Sequence, residues 1–426
     1  MPGAKARVAC DRDVSRAVAA FQSAGIDRDG ISVCDSHSAA MVAFESGGAV
    51  VVGEAAILAG LPVDVVVEAT GHPEAAAAIA EVAIGNGKHV VMVTKEADSV
   101  VGPLLDHRAR RAGVVYTPAD GDQPSLLIGL VAWCRLLGLE IVSAGKASEF
   151  DFVFDPGKGE LSTQGRMLHV PGLAELWTAS GKNSAQMAVE RARLLDMVWH
   201  RTAPDLCEMT IVANATGLTP SRPELHAPIA RTVELPDVLA PASAGGLLSE
   251  GGVLDIFNCL RRPDEVSFAG GVFVVARAPD AETARLFRNK GIPVSADNER
   301  FLIGNQVHLL GAEAPMSILS ACRAGKSTAG DDVRPRIDLT ARANRAIPAG
   351  TRFDLGWRHA IDGVNAEMTP ARALGSHAPV PHYLLPDAVT RVEIPAGTVV
   401  TGAMVDAPAQ STLWRLRAEQ DALFGL

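Results

Sequence analysis

Two short stretches carry the residues best placed to do chemistry. One reads Val63-Asp64-Val65-Val66-Val67-Glu68-Ala69-Thr70-Gly71-His72-Pro73, the other Lys88-His89-Val90-Val91-Met92-Val93-Thr94-Lys95-Glu96-Ala97-Asp98. In both, small and polar residues (Thr70, Gly71, Thr94, Lys95, Glu96) follow a run of β-branched apolar residues. A glycine lets a ligand approach the backbone closely. A lysine can polarise a carbonyl, steady a developing alkoxide or hold a phosphate. Lys146, in Ala144-Gly145-Lys146, offers the same cation at the end of another apolar run. The turn Asp120-Gly121-Asp122 falls at a strand end near the same place. Whether a divalent metal bridges Asp120, Asp122 or Glu313 to a substrate phosphate is left open. No metal motif stands out, because the eleven histidines are scattered and no H-E-x-x-H occurs.

The elements that must position these groups form a βαβ unit. Val63–Glu68 has the continuous apolar character of a strand buried on both faces. Pro73 suits a first helical position, where no N–H is needed, and Gly85 and Gly87 close the helix. The pattern repeats on both sides. Strands are expected at Ala6–Cys10, Ile31–Cys34, Ala49–Val52, Val114–Thr117 and Glu140–Ser143, with helices over Val14–Ala24, Ser38–Ser46, Glu54–Gly60, Val100–Ala112 and Ser125–Leu137. Alternating strand and helix predicts an α/β fold with a Rossmann-like doubly wound sheet. Ligands of such sheets bind at the carboxyl ends of the strands, which places the site beside Thr70, Gly71, Lys95 and Glu96.

One expected element is missing. A dinucleotide-binding sheet opens with a strand, a G-x-G-x-x-G turn and a helix whose N-terminus holds the pyrophosphate. No G-x-G-x-x-G occurs in the sequence. Asp11, at a strand end, looks like the acidic residue that follows such a unit and binds the adenosine ribose. Three alternatives stay open. The start codon is placed late; the protein has lost its first strand and Gly-rich loop; or Ala6–Cys10 is itself the first strand and Asp35 ends the second. In the third case the first turn, Asp11-Arg12-Asp13, has no glycine and repels a pyrophosphate.

Beyond the sheet, 150–182 is irregular and Gly-rich and reads as an insertion or lid. Helices are expected over Ala185–Trp199, Leu206–Thr216 and from Ser317. Ser267–Arg277 reads as a strand pair and Phe301–Leu310 as a strand. The last hundred residues change character. Arg345-Ala346-Ile347-Pro348-Ala349-Gly350-Thr351 and Val392-Glu393-Ile394-Pro395-Ala396-Gly397-Thr398 are two copies of one pattern, suggesting a small β module with pseudo-symmetry. Ser411–Leu426 is an amphipathic helix with Leu413, Leu416, Gln420 and Leu423 on one face.

The chain has 426 residues, 48% of them apolar, and a net charge of −10. With no basic run, nucleic acid is not an expected partner. Six cysteines without a C-x-x-C pair read as free thiols. No stretch has the length and hydropathy of a membrane span, and no signal-peptide core precedes the first strand, so a cytoplasmic protein without membrane contact is expected. The apolar faces of the β module and the last helix suggest a homo-oligomer.

Taken together, Val-Val-Glu-Ala-Thr-Gly-His-Pro-Glu (66–74), Lys-His-Val-Val-Met-Val-Thr-Lys-Glu-Ala-Asp (88–98), Ala-Asp-Gly-Asp-Gln-Pro (119–124), Ala-Gly-Lys (144–146), Ala-Asn-Ala-Thr-Gly-Leu (213–218) and Gly-Ala-Glu-Ala-Pro-Met-Ser (311–317) resemble the homoserine-dehydrogenase-like oxidoreductases with a C-terminal SAF domain. That family includes enzymes like 1-deoxy-D-xylulose-5-phosphate reductoisomerase. The resemblance implies a Rossmann-like domain over 1–146, a substrate and oligomerisation domain over 147–335, a SAF-like β-clip over 336–410 and a helix over 411–426. It implies an NAD(P)-dependent oxidoreductase acting on a small polyol, hydroxyacid or sugar phosphate. Asp11 would meet the cofactor ribose, and Arg12 beside it would accept a 2′-phosphate, favouring NADP over NAD. Thr70, Gly71, Thr94, Lys95 and Glu96 would line the nicotinamide. Lys146, Glu208, Lys95 and His308 would serve catalysis, with Asp120, Asp122 and Glu313 against the substrate. Pro204 stands where the family leads one to expect a lysine, and Lys95 offers a cation in its place. Two other readings fit the same residues: a family member without cofactor that binds or regulates, and a lyase or isomerase that reuses the pocket.

Overall fold

The structure is a computed structural model and describes residues 3–426. Its N-terminal part alternates β1 (Val8–Cys10), α1 (Val14–Ser23), β2 (Ile31–Cys34), α2 (His37–Glu45), β3 (Ala49–Val52), α3 (Ala55–Ala59), β4 (Val65–Glu68), α4 (Pro73–Gly85), β5 (His89–Met92), α5 (Lys95–Arg111) and β6 (Tyr116–Pro118). All strand pairs here are parallel, as the apolar runs predict. The expected single sheet is divided in two, however, with orders β1-β3-β2 and β4-β5-β6. Among the described residues no strand joins β1 to β4. β4 is not buried on both faces as expected: Val66 and Glu68 are buried while Val67 between them is 45% exposed, whereas Val50, Val51 and Val52 are all fully buried.

α5 starts at Lys95 rather than near Val100, because Thr94 already takes the N-cap position. Its buried face includes Asp98, whose carboxylate accepts the Tyr116 hydroxyl at 2.8 Å. Burial pushes the Asp98 carboxyl up to about 7, the Tyr116 bond opposing and Asp106 assisting. A folded value above the unfolded one means stability that is full below pH ~4 and lost as pH rises through ~7. Asp98→Asn should therefore gain roughly 2–4 kcal/mol at pH 8 and little at pH 4. Urea denaturation at the two pH values checks this; an equal effect at both would refute it.

The central part adds α6 (Gln123–Leu136), β7 (Glu140–Ala147), β8 (Phe152–Asp155), β9 (Glu160–Thr163), β10 (Arg166–His169), α7 (Ser184–Leu194), α8 (Ala203–Thr216), β11 (Thr219–Pro220), β12 (Ile229–Ala230), α9 (Leu235–Val238), β13 (Val253–Arg261), β14 (Val272–Arg277), α10 (Ala281–Asn289) and β15 (Arg300–Asn305). Seven of these strands lie side by side in the order β10-β9-β8-β13-β7-β14-β15, with β11 and β12 also on β13. The segment 150–182 is no lid: it holds β8–β10, and Phe152, Phe154 and Leu161 pack with Leu195 and Leu260 in a core of their own. Alternating apolar residues there outweigh the glycines at its turns. β7 runs past Ser143 to Ala147, so Lys146 lies inside a strand and not at its end. Gly145 permits this, since a Cβ there would stand 1.7 Å from the Asp255 carbonyl oxygen on β13. Residues 266–271 form a turn before β14 rather than a first strand.

The C-terminal part comprises α11 (Leu310–Leu319), β16 (Ile337–Ala343), β17 (Val364–Pro370), β18 (Val389–Thr390), β19 (Val405–Asp406) and α12 (Thr412–Phe424). α11 begins seven residues before Ser317 and takes in the Gly311–Pro315 stretch. The two repeat copies face each other: Ile347 and Ile394 exchange both backbone hydrogen bonds at 2.9 Å. α12 packs across α5 and α4, which covers Leu413, Leu416 and Gln420 of the expected face and leaves Leu423 45% exposed. Gln420 of α12 is 1% exposed. Its amide donates to Val100 O at 2.9 Å and accepts from Leu104 N at 3.1 Å. These are the two groups an α-helical bond would join, beside Pro103 inside α5.

Candidate functional site

The ends of β4 and β5 are tied together. The Gly71 N–H donates to Thr94 Oγ1 at 2.9 Å, and the Thr70 N–H to the Glu68 carboxylate at 2.8 Å. Gly71 has φ +70°, a left-handed turn that glycine adopts without strain. Lys95 and Glu96 follow in the first turn of α5. Lys95 Nζ reaches Glu208 Oε1 at 2.8 Å and Asp122 Oδ1 at 3.2 Å.

Glu208 joins this group to the central sheet. Its other oxygen meets Lys146 Nζ, which also contacts Asp205 at 3.1 Å and Glu149 at 3.5 Å. α8 brings Asp205 and Glu208 to one side, three residues apart, and a Thr202–Asp205 capping box fixes its start. Burial works against the charge on Lys146, but Glu208 and Asp205 outweigh it and raise its pKa. The balance at Lys95, with Glu208 and Asp122, has the same sign. Burial opposes the Glu208 carboxylate too, yet Lys146 and Lys95 hold it below the usual range. Asp122 is the exception: burial raises it, and the pull of Lys95 is too small to restore it. The lysines differ in access, with the Lys95 side chain 25% exposed and that of Lys146 1%.

His308 sits one step out, with Nε2 3.6 Å from Glu149 Oε2. The bond to Glu149 raises the imidazole pKa against burial. Burial opposes the charge on Glu149, but His308 and Lys146 bring its carboxyl down to about 2. The structure thus gathers Lys95, Asp122, Lys146, Glu208 and His308. Asp205 and Glu149 belong to the same network, and sequence reasoning alone does not single them out. Their spacing is the available signal, Asp205 being one helical turn before Glu208 and Glu149 three residues after Lys146.

Other residues lie apart. Asp120 accepts from Ser317 Oγ at 2.9 Å and Thr328 Oγ1 at 3.0 Å, and Glu313 packs on Gly121. Among the described residues no cluster of His, Cys, Asp and Glu has metal-binding geometry. Asp11 and Arg12 lie on the other half of the divided sheet. A residue with no sequence signal closes on the ends of β4 and β5. His359, from the turn before β17, pairs through Nδ1 with Glu96, and a Cβ on Gly71 would stand 3.5 Å from its ring.

Residues 15–118 match the family described as homoserine dehydrogenase, NAD binding domain, and residues 121–314 the one described as oxidoreductase DRL, catalytic domain. No curated protein matches the chain. Among solved structures, 1-deoxy-D-xylulose 5-phosphate reductoisomerase from Zymomonas mobilis in complex with NADPH is 18% identical, over 44% of this chain and 44% of its own, with a TM-score of 0.24. A DOX-P reductoisomerase in complex with magnesium is 15% identical, over 34% and 39%, with a TM-score of 0.23. Biliverdin reductase from Synechocystis sp. PCC 6803, in complex with biliverdin and NADP+, is 24% identical, over 35% and 47%, with a TM-score of 0.19. The chain spans less than half the length of each, and at these scores the likenesses carry no argument. No helix among the described residues is long and apolar enough to cross a membrane.

A dinucleotide must be met at both ends and in the middle. At the end the resemblance implies for the nicotinamide, Thr94 is 2% exposed, and Gly71 and Lys95 supply a tight turn and a cation at the ends of β4 and β5. At the adenosine end, Asp11 offers a carboxylate, although its Oδ1 already accepts the Asp13 N–H at 2.8 Å. In a sheet of order 3-2-1-4-5-6 the strand with the phosphate loop lies centrally; here that place is the break between β1 and β4. The first turn is acidic, and Asp13 occupies the Ser15 amide at the start of α1. Among the described residues polar groups stand at the two implied ends of the cofactor, and the acidic turn before α1 does not suit its diphosphate.

Proposed function

We propose that this chain, a homoserine-dehydrogenase-like oxidoreductase with an NAD-binding domain and a DRL-type catalytic domain, is an NAD(P)-dependent dehydrogenase or reductoisomerase of a small polyol, hydroxyacid or sugar phosphate. The observation that carries this reading is Glu208, held between Lys95 of the NAD-binding domain and Lys146 of the central sheet. Lys95 is the more accessible cation, so it is the group that meets the substrate oxygen. Glu208 and Asp122 keep it protonated for that task. Lys146, itself held by Asp205, fixes Glu208 in place, and His308 lies within reach of the same carboxylate cluster for proton exchange. Of the three carboxylates expected against the substrate, Asp122 lies in this cluster, on Lys95.

Titration of the protein with NADPH and NADH, followed by nicotinamide fluorescence, tests the reading. Micromolar binding is expected, weakened by Gly71→Val, which blocks the strand edge. No binding up to millimolar concentration overturns it for this chain. That result would support a second reading, a member that keeps the fold and pocket but binds or regulates without a dinucleotide. The divided sheet and the acidic Asp11-Arg12-Asp13 turn favour this alternative.

A further inference from the structure

On the far side of the first turns of α8 lies a cavity of about 1070 Å3. α8 turns Ala203 and Pro204 toward it and Asp205 and Glu208 toward the lysines. His226 and Arg201 form part of its wall. Neither belongs to the Lys95–Glu208–Lys146 network.

His226 is fixed from several sides. Asp255, fully buried on β13, accepts backbone N–H groups from His226 at 3.0 Å, Ala227 at 3.1 Å and Ile256 at 2.8 Å on Oδ1. On Oδ2 it accepts the Ser221 hydroxyl at 2.6 Å and His226 Nδ1–H at 2.7 Å. A carboxylate partner can only accept, so Nδ1 carries a proton, and in the neutral ring that tautomer places the lone pair on Nε2. The residues on either side, Leu225 and Ala227, have φ +59° and +50°. Two non-glycine residues in the left-handed region flanking one histidine are costly, and such strain gathers at functional positions. A purely structural tie between this loop and β13 needs neither.

Arg201 clamps the same turn. Its Nη1 donates to Glu224 O at 3.1 Å and Leu225 O at 2.7 Å. Arg222 beside it is paired with Glu224, but Arg201 forms no ion pair among the described residues. Burial, and then the charge of Arg222, pull the Arg201 pKa below the usual arginine value. Arg201 is exposed in the cavity wall, and a guanidinium there without a carboxylate has N–H groups to offer an anion.

We propose that this cavity binds a small hydroxylated anion, Arg201 holding its carboxylate or phosphate and His226 Nε2 accepting a hydrogen bond from its hydroxyl. The site does not depend on the redox reading, because binding is its readout. The test uses the full chain with inorganic phosphate, acetate and glycolate as probes. Calorimetry gives affinities, and the His226 ring resonance, identified by its loss in His226→Gln, reports location. Saturable binding that moves this resonance is expected, with glycolate preferred to acetate. Arg201→Gln should weaken all three probes about tenfold or more. His226→Gln should leave acetate unchanged and erase the glycolate preference. Phosphate binding above acetate marks a phosphate ester as the ligand class; the reverse marks a carboxylate. Should Arg201→Gln fail to fold, Arg201→Lys, which keeps a cation without the fork, is read in its place. An unmoved His226 resonance, or equal affinities in wild type and the Arg201 variant, overturns the proposal.

Discussion

Lys146→Met is expected to cost about 3–5 kcal/mol of folding stability at neutral pH, and Glu208→Gln markedly less. Charge balance gives the difference. Around the two ammonium groups stand four carboxylates, Asp122, Glu149, Asp205 and Glu208. Removing one carboxylate lowers an existing surplus. Removing Lys146 strands Asp205 and Glu208, which are 2% and 3% exposed, with Lys95 alone to offset them. Asp205 keeps its Thr202 bonds at 2.7 and 3.0 Å, so Glu208 bears most of the penalty. The pH dependence follows. In the wild type the Glu208 carboxyl is held below its ordinary value. Its contribution is therefore present above the unfolded pKa and lost as pH falls through the folded one. In Lys146→Met Lys95 alone opposes burial, so the carboxyl rises and the variant loses less stability in acid than the wild type does. Urea denaturation of both variants at pH 5 and 7.5 decides the matter. A Glu208→Gln cost equal to that of Lys146→Met would mean that hydrogen-bond geometry, not charge, governs the cluster.

Much of this cluster is legible in the amino-acid sequence, for a physical reason. Lys95 and Asp122 lie just beyond short apolar strands of one parallel sheet, which delivers its strand ends to one side, whereas Lys146 reaches them from inside β7 of the central sheet. Glu208 enters only through the family resemblance; its approach to both lysines depends on how α8 packs, which no local pattern encodes. Asp255 and His226 are a further step removed. They are 29 residues apart and meet only because β11 and β12 both pair with β13. His359 crosses from the C-terminal part to Glu96 over a separation of 263 residues. The lid expected over 150–182 fails because glycine counts describe turns, and the strands between those turns pack as core. The repeat at Ile347 and Ile394 succeeds because identical turn chemistry gives identical backbone, and two such copies pair symmetrically.

Arg417→Leu is expected to cost about 3–5 kcal/mol as well, and its consequences should travel. Arg417 of α12 is fully buried. It meets both Asp338 oxygens on β16, at 2.5 and 2.8 Å, and Asp421 one turn on, at 2.7 Å. Leucine would leave two buried carboxylates without a cation. The same helix carries Gln420, which bonds Val100 O and Leu104 N beside Pro103 in α5. α12 is thus pinned through Arg417 to the C-terminal β strands and, less than a turn later, through Gln420 to α5 of the N-terminal part. Loosening the first pin should loosen the second, and with it the seat of α5, whose first turn presents Lys95 and Glu96. Native-state hydrogen exchange reads this directly: the Leu104 amide should lose protection in Arg417→Leu by a factor comparable to that at Leu416. If α12 amides exchange faster while Leu104 keeps its protection, the helix frays alone and the C-terminal part does not brace the site. A double change of Arg417 and Asp338 to leucine separates charge from packing. It should recover stability relative to Arg417→Leu, since a buried carboxylate without a partner costs more than its apolar replacement.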